Sequence, residues 1–297
     1  ACVGVDIPGS AGVGVVRAGD FLREYNVRGS APVGDRVVVV GGGNAAIDAA
    51  RTAIRLGAEV TVVYRRTRDQ MPAYAEEIEE AVAEGVDLRT LTQPVGIERD
   101  EKGAVTGMQC AELTLGDFDR SGRRRPTRRG KEIIEITADQ VIVAIGQKLD
   151  AAPLIADVGV AVSRDGFIRA DHQTGQTSVP WIFSGGDAVL GPASVVEAIG
   201  AGERAAVGID LYLTGENHAF WREDKPVDVA FDPDADPVPF EREGLETIPV
   251  ERRRHNFSEV EKSWSEVVAL RQASRCLRCD FGKCLEARTV EKEAARG

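Results

Sequence analysis

Residues 36–46 read Arg36-Val-Val-Val-Val-Gly41-Gly42-Gly43-Asn44-Ala45-Ala46, and this stretch decides the fold. The valines form a continuous β-branched run, which is typical of a strand buried on both faces. The glycines follow in the spacing G-x-G-x-x-A, and a helical pattern continues to Gly57. A strand, a glycine turn and a helix in this order indicate dinucleotide binding, because the helix N-terminus presents free N–H groups to a pyrophosphate. An ordinary strand–helix turn is the alternative.

The end of the second strand indicates which dinucleotide binds. Sites that prefer NAD place an acidic residue there to accept a hydrogen bond from the ribose 2′-hydroxyl. Here the strand Glu59–Tyr64 is followed by Arg65 and Arg66, with no acid before Asp69. An arginine side chain can donate two parallel hydrogen bonds to a 2′-phosphate, so the sequence favours NADP(H). A solvated basic turn is the alternative.

The order of elements predicts an α/β fold with a parallel sheet and right-handed crossovers. Hydrophobic periodicity predicts helices over 20–26, 44–56, 75–84, 194–213 and 258–275. Runs of β-branched residues predict strands over 36–40, 59–64, 87–91, 95–98, 105–115, 132–136, 141–145, 167–169 and 181–183.

A second glycine-rich turn precedes the long helix. A short apolar run leads into Gly185-Gly186-Asp187, and Ser194 and Val195 then open the helix. This arrangement resembles the flavin- and pyridine-nucleotide-linked oxidoreductases. The resemblance implies that Asp187, with Gly186, binds the ribityl or pyrophosphate part of FAD. It also implies that the helix N-terminus faces the flavin ring, where its dipole would stabilise negative charge. A plain turn is the alternative.

Three longer stretches together are similar to the small (beta) subunit of glutamate synthase and its related electron-transfer flavoproteins. They are "GGGNAAIDAARTAIRLGAEVTVVYRRTRDQMPAYAEEIEEAVAEGV", "VIVAIGQ" and "VPWIFSGGDAVLGPASVVEAIGAGERAA". The resemblance implies a Rossmann-like architecture of two nested dinucleotide-binding domains in three ββα layers. It places Ala144 and Gly146 at the NADP(H) site, and Glu197 near the nicotinamide.

From the family resemblance and the local composition, we predict that the chain consists of five parts. Residues 1–35 are a remnant of the FAD domain, 36–140 the NADP(H) domain, and 141–215 the C-terminal half of the FAD domain. Residues 216–257 form an acidic, proline-rich linker, and 258–297 a helix with a cysteine cluster. No strand followed by G-x-G-x-x-G precedes residue 36, and Gly12-Val13-Gly14 lacks both the strand and a small sixth residue. We therefore expect only half of the FAD site in this chain, and weak retention of FAD.

Three of the five cysteines crowd near the end of the chain. Cys276, Cys279 and Cys284 have the spacing C-x-x-C-x4-C. Such a turn brings two thiolates to one metal, and neighbouring arginines lower thiol pKa values. An iron–sulfur (4Fe-4S) cluster, a zinc ion and free thiols remain open, and a closed metal site would need a fourth ligand from elsewhere.

The net charge and the hydropathy of the chain limit the kinds of partner and the cellular location that we expect. With 37 Lys and Arg against 48 Asp and Glu, the net charge is −11, which argues against nucleic acid as the main partner. No apolar run is long enough to span a bilayer. The chain begins at Ala1 without a basic-then-apolar leader, and its cysteines suit a reducing compartment, so we expect the cytoplasm. An arginine-rich loop over 120–129 is a solvated hairpin tip or a docking site for an acidic partner.

The sequence therefore predicts an NAD(P)H-dependent flavoprotein oxidoreductase module. Hydride would pass between NADPH and FAD, and electrons would continue to iron–sulfur carriers or a partner subunit. The alternative is a non-catalytic NADP(H)-binding or docking subunit that lacks a complete FAD site.

Overall fold

The computed structural model describes residues 3–118, 124–150, 157–219 and 241–275. The chain forms two compact units. The first comprises Ala1–Phe220 with Val250–Phe257, and the second comprises Trp221–Pro249 with Ser258–Gly297.

Eight strands form two sheets in the first unit. The strands are β1 (Val15–Arg17), β2 (Arg36–Val40), β3 (Glu59–Val63), β4 (Asp87–Arg89), β5 (Thr92–Arg99), β6 (Val105–Phe118), β7 (Arg124–Thr137) and β8 (Gln140–Val143). A parallel five-stranded sheet has the order β1-β8-β2-β3-β4, and an antiparallel three-stranded sheet has the order β5-β6-β7.

Six helices lie in the first unit and one in the second, among the described residues. They are α1 (Ala18–Arg28), α2 (Asn44–Arg55), α3 (Ala75–Ala83), α4 (Asp187–Leu190), α5 (Val195–Thr214), α6 (Val250–Arg253) and, in the second unit, α7 (Glu266–Ala273). Within the part of the chain that the structure describes, none of them combines the length and hydropathy required to cross a bilayer.

The side chains of strand β2 show why layers cover both faces of the parallel sheet. Val37 and Val39 pack with α1, α2 and α3 in one buried cluster, whereas Val38 and Val40 pack with β5, β6 and β7 in another. Successive side chains of a strand point to opposite faces, so an unbroken valine run needs a cover on each side. The helices, the parallel sheet and the antiparallel sheet form three layers, which confirms the α/β, Rossmann-like ββα prediction.

Strand β8 enters the parallel sheet between β1 and β2. The run Val141–Ile145, which we assigned to the flavin segment, thus lies beside the fingerprint strand, with residues 140–143 as its strand part. Gly12 and Gly14 precede β1, and no strand precedes them among the described residues. The five-part division of the chain itself stays a prediction.

Two predicted strands are wrong. Within 167–169 only Ile168 forms a bridge, to Val162, because a turn at Gly166 directly precedes it. Within 181–183 only Phe183 forms a bridge, and Ile182 closes a turn onto Val179.

The predicted helix over 258–275 is also too long. In the second unit Thr247 pairs with Glu261, and Lys262 donates its N–H to the Glu246 carbonyl. These bonds hold the residues before α7 in an extended conformation, and the Ser265 hydroxyl then caps the helix by accepting the N–H of Val268.

A buried ion-pair cluster holds helix α6 against α2 and α3 within the first unit. Its Arg253, whose side chain is 6% exposed, lies 3.3 Å from the fully buried carboxylate of Glu84 and 3.2 Å from Glu80. From α2, Arg51 donates to Glu84 at 2.7 and 3.1 Å. Burial acts to lower the pKa of Arg51, but the carboxylates of Glu84, Glu77 and Glu80 outweigh burial and raise it.

Aromatic contacts extend this anchor beyond the ion pairs. Phe257 stacks on Tyr25 of α1 with ring centroids 4.2 Å apart, and the Arg55 guanidinium lies 5.8 Å from the Phe257 ring centroid. Residues 250–257 thereby join the ends of three helices that cover the parallel sheet.

The cluster generates a stability prediction. The substitution Glu84→Gln should lower the free energy of unfolding in urea by about 3 kcal/mol, because it leaves Arg51 and Arg253 buried with too few carboxylates. Glu79→Gln is the matched control: Glu79 lies on the same helix, is 72% exposed and approaches Arg68 only to 3.8 Å. We expect the control to change the free energy by less than about 0.5 kcal/mol. Equal effects of the two variants would contradict the role assigned to Glu84.

Candidate functional site

The glycine turn after β2 is fixed by close backbone approaches. Gly41 has φ +149°, and a β-carbon there would lie 2.3 Å from the carbonyl oxygen of Ala144. A β-carbon at Gly42 would lie 2.5 Å from the Tyr64 ring. The Gly41 N–H also donates to the Val63 carbonyl at 3.1 Å. Side chains at Gly41 and Gly42 would therefore collide with Ala144 and Tyr64, the residues that follow β8 and β3.

Gly43 is different. Its φ is −92°, which any residue adopts, and a β-carbon there would meet no other atom within 4 Å. Neither backbone strain nor packing within the described protein requires a glycine. A ligand lying over the turn would require one, because a side chain would occupy its space.

The turn also presents unused hydrogen-bond donors. Among the described residues, no protein acceptor lies within hydrogen-bond reach of the backbone N–H groups of Gly42, Gly43, Asn44 and Ala45. Gly43 is the N-cap of α2, and its side chain supplies no cap. Free N–H groups with the positive end of the helix dipole form an anion-binding site. The glycine turn thus has the geometry and charge that a pyrophosphate needs.

The predicted basic pair follows β3, which lies parallel to β2. Carboxyl ends of neighbouring parallel strands meet at one edge of the sheet, so Arg65 and Arg66 follow the strand next to the glycine turn. Arg65 is exposed, whereas Arg66 is buried, with 9% of its surface accessible. Arg65 is therefore the more accessible of the two to a ligand at this edge.

Sequence reasoning missed the residues that support the turn. Tyr64 packs its ring under Gly42 and donates its hydroxyl to the Gln70 carbonyl at 2.8 Å. The Asn44 side chain accepts the N–H of Tyr74 at 3.1 Å, so it holds the following loop and not the helix terminus itself. An aromatic residue at the end of the second strand was the only signal for this contact.

The third strand end at this edge is that of β8. Ala144 donates its N–H to the Val40 carbonyl at 2.8 Å. Gly146, with φ +118°, accepts the N–H of Val3 at 2.9 Å. Both residues thus follow the strand adjacent to β2, and their assignment to the NADP(H) site stays a prediction.

The predicted flavin residues form a second group around the start of α5. Gly185 and Gly186 pack on Ala201 and Ala198 of that helix, where β-carbons would lie 2.9 and 3.5 Å from the alanine β-carbons. Asp187 opens α4, and its carboxylate accepts the N–H of Ala193 at 3.2 Å. This bond fixes an exposed carboxylate directly before the helix.

Glu197 closes a capping box with Ser194. The Ser194 hydroxyl accepts the Glu197 N–H at 3.2 Å, and the Glu197 carboxylate accepts the Ser194 N–H at 2.8 Å. The Ser194 hydroxyl also donates to the Glu197 carboxylate at 2.7 Å. The hydrogen bonds that this carboxylate accepts from the backbone N–H and the hydroxyl of Ser194 hold the pKa of Glu197 below its usual value. The carboxylate is thereby engaged at its own helix terminus, and the placement of Glu197 near a nicotinamide stays a prediction. The N–H of Val195 has no acceptor among the described residues.

The three cysteines of the predicted metal site, Cys276, Cys279 and Cys284, lie outside the described residues. Within the ranges that the structure describes, no group of three or more His, Cys, Asp or Glu side chains could hold a metal ion. The described Cys110 is buried in β6, and burial raises the pKa of its thiol to about 12.

Comparison with known proteins identifies relatives. Residues 4–202 match the family model for pyridine nucleotide-disulphide oxidoreductases. The chain is 42% identical over 272 residues to the NADP(+)-dependent formate dehydrogenase subunit beta of Moorella thermoacetica, covering 87% of this chain and 38% of that protein. It is 41% identical over 185 residues to the glutamate synthase [NADPH] small chain of Escherichia coli, covering 61% of this chain and 39% of that protein.

A solved structure shows the same fold. Thioredoxin reductase of T. acidophilum superposes with a TM-score of 0.56 at 21% identity, covering 72% of this chain and 63% of that one. The chain spans about two fifths of the length of the two sequence relatives. The similarity to the glutamate synthase small chain confirms the family resemblance derived from the sequence.

The contrast between two glycines generates a binding prediction. Gly43→Ala should leave the protein folded, with a stability cost of no more than about 1 kcal/mol, and should weaken NADPH binding at least about tenfold in calorimetry. Gly41→Ala should prevent folding, because its β-carbon has no space.

Gly202→Ala is the matched control for this prediction. Gly202 lies in α5, and a β-carbon there also meets no atom within 4 Å. We expect unchanged NADPH affinity. Equal affinity of the Gly43→Ala variant and the unmodified chain would contradict a pyrophosphate site at the turn.

Proposed function

The chain belongs to the pyridine nucleotide-disulphide oxidoreductase family, and we propose that it binds NADPH at the glycine turn and supports hydride transfer between NADPH and FAD. The observation that carries the proposal is Gly43, whose lack of a side chain nothing in the described protein requires. The unused N–H groups of Gly42, Gly43, Asn44 and Ala45 support the same conclusion, since they would bind the pyrophosphate.

The coenzyme is NADPH and not NADH in this proposal. Arg65 follows the strand next to the turn, is exposed, and would bind the 2′-phosphate by charge-assisted hydrogen bonds. Arg66 is buried beside it and would add positive charge at the same edge. No acidic side chain stands at the position that selects a free 2′-hydroxyl.

The second group of residues fits the flavin part of FAD. Asp187 would accept a hydrogen bond from the ribityl chain, and its bond to Ala193 keeps the carboxylate in place. The free N–H of Val195 and the dipole of α5 would face the electron-rich side of the ring, with Ser194 and Glu197 ordering that terminus. When bound, FAD supplies the conversion of a hydride into single electrons.

We propose a protein partner for those electrons. The formate dehydrogenase relative is itself named as a subunit, and this chain would likewise deliver its electrons to a partner subunit.

Cys276, Cys279 and Cys284 would bind a 4Fe-4S cluster with a fourth ligand from elsewhere, in a reducing compartment such as the cytoplasm. Iron and acid-labile sulfide analysis of the purified protein, against a Cys276→Ser, Cys279→Ser variant, distinguishes this cluster from zinc and from free thiols.

Coenzyme preference gives one test. Arg65→Ala should reduce the affinity for NADPH, and Arg65→Ala with Arg66→Ala should make NADPH and NADH bind equally. Each lost bond to the phosphate is worth about 1.5–3 kcal/mol, or roughly tenfold or more in affinity. Arg164→Ala, another exposed arginine, is the control and should change neither affinity. If the unmodified chain binds the two coenzymes equally well by calorimetry, the assignment of Arg65 and Arg66 is wrong.

Flavin retention gives the other test. We expect the 297-residue chain, purified alone, to hold well under one FAD per chain while still binding NADPH. NADPH-driven dye reduction should then rise with added FAD, and Asp187→Ala should raise the FAD concentration needed without changing NADPH affinity. Asp165→Ala, an exposed carboxylate on another loop, should have no effect. Dye reduction that never appears at saturating FAD would favour the non-catalytic NADP(H)-binding alternative.

A further inference from the structure

The hairpin formed by the ends of β6 and β7 carries a charge opposite to that of the rest of the chain. We name its described residues, 113–118 and 124–131, the arginine hairpin. Residues 117–131 contain seven bases and two acids, a net charge of +5, within a chain of net charge −11. The remaining residues therefore carry a net charge of −16.

The hairpin extends beyond its sheet. Strand β5 pairs with β6 only as far as Thr92 opposite Glu112. From Leu113, opposite Arg128, to Phe118, opposite Arg124, the two strands continue as a ribbon. Five residues at about 3.3 Å each give a length of about 17 Å. This is about twice the Debye length of ~8 Å at physiological salt, so Arg124, at the far end of the described ribbon, is largely screened from the negative charge elsewhere.

The side chains of this ribbon are available to a partner. Arg124, Arg125 and Arg129 are exposed, and no carboxylate in the described ranges forms an ion pair with them. The Arg124 guanidinium lies 5.7 Å from the ring centroid of Phe118, which is itself 70% exposed. Arginine and aromatic side chains are the residues that contribute most to protein interfaces.

We propose that the arginine hairpin docks the acidic surface of the protein that exchanges electrons with this chain; this identification of the partner rests on the function proposed above. The charge distribution favours a compact protein over other anions. A nucleic acid or an anionic bilayer extends well past a 17 Å ribbon (about five residues of strand) and would meet the net charge of −16 on the rest of the chain. A compact acidic protein can contact the ribbon alone, and complementary charge would steer its association.

The test compares two triple charge reversals. Arg124→Glu, Arg125→Glu, Arg129→Glu removes the positive surface of the hairpin. Arg23→Glu, Lys102→Glu, Arg164→Glu changes the net charge by the same amount at exposed positions outside it.

The probe is a small acidic ferredoxin, and binding is measured by fluorescence anisotropy at low and at physiological ionic strength. We expect the unmodified chain to bind the ferredoxin, more weakly as salt rises, and the hairpin variant to bind at least about tenfold more weakly. The control variant should stay within about threefold of the unmodified chain.

Three results would overturn the proposal. They are no ferredoxin binding by the unmodified chain at low salt, an equal loss in both variants, and equally tight hairpin-dependent binding of duplex DNA or phosphatidylserine vesicles. NADPH affinity is measured on the same three samples and should not differ among them. A chain that binds ferredoxin through the hairpin but fails to bind NADPH would contradict the proposed function while leaving the docking surface in place.

Discussion

The close approach of three backbones at the glycine turn is the constraint on which the rest of the structure depends. Gly41 has a positive φ of +149°, which favours glycine. A side chain at this position is excluded because the Ala144 carbonyl oxygen occupies the space where its β-carbon would lie. Gly42 is held in the same way by the Tyr64 ring. These contacts bring the ends of β2, β3 and β8 together and fix where α2 begins. A donor-rich helix terminus can only stand at the edge of the sheet if these strands meet without intervening side chains.

The packed layers hold the edge of the sheet at which the glycine turn lies. Strand β2 is buried on both faces, and the cluster of Glu84, Arg51 and Arg253 joins the elements of the helical layer. Such a cluster costs desolvation of several charges, so its value lies in specifying how α2, α3 and α6 fit together more than in net stability. The residues to which we assign functions lie on this frame: the glycine turn, Arg65, the start of α5 and the arginine hairpin.

Local signals in the sequence were sufficient for part of this account. The valine run, the glycine spacing and the arginine pair each act over a few residues, and the fold class follows from them. Contacts between residues far apart in sequence were not predictable. An aromatic residue at the end of β3 does not by itself indicate that the Tyr64 ring lies under Gly42, and nothing near Arg253 indicates a partner at Glu84. The predicted strand at 181–183 was wrong because a turn onto Val179 outweighs the local preference.

In the function proposed above, the free N–H groups of the glycine turn bind the pyrophosphate of NADPH. The decisive measurement is amide hydrogen exchange followed residue by residue by NMR, with and without NADP(+). We expect the nucleotide to slow exchange and to shift the resonances at Gly43, Asn44 and Ala45, while the N–H of Val195 is unaffected in the absence of flavin. Unchanged exchange at the turn in a chain saturated with NADP(+) would contradict this proposal.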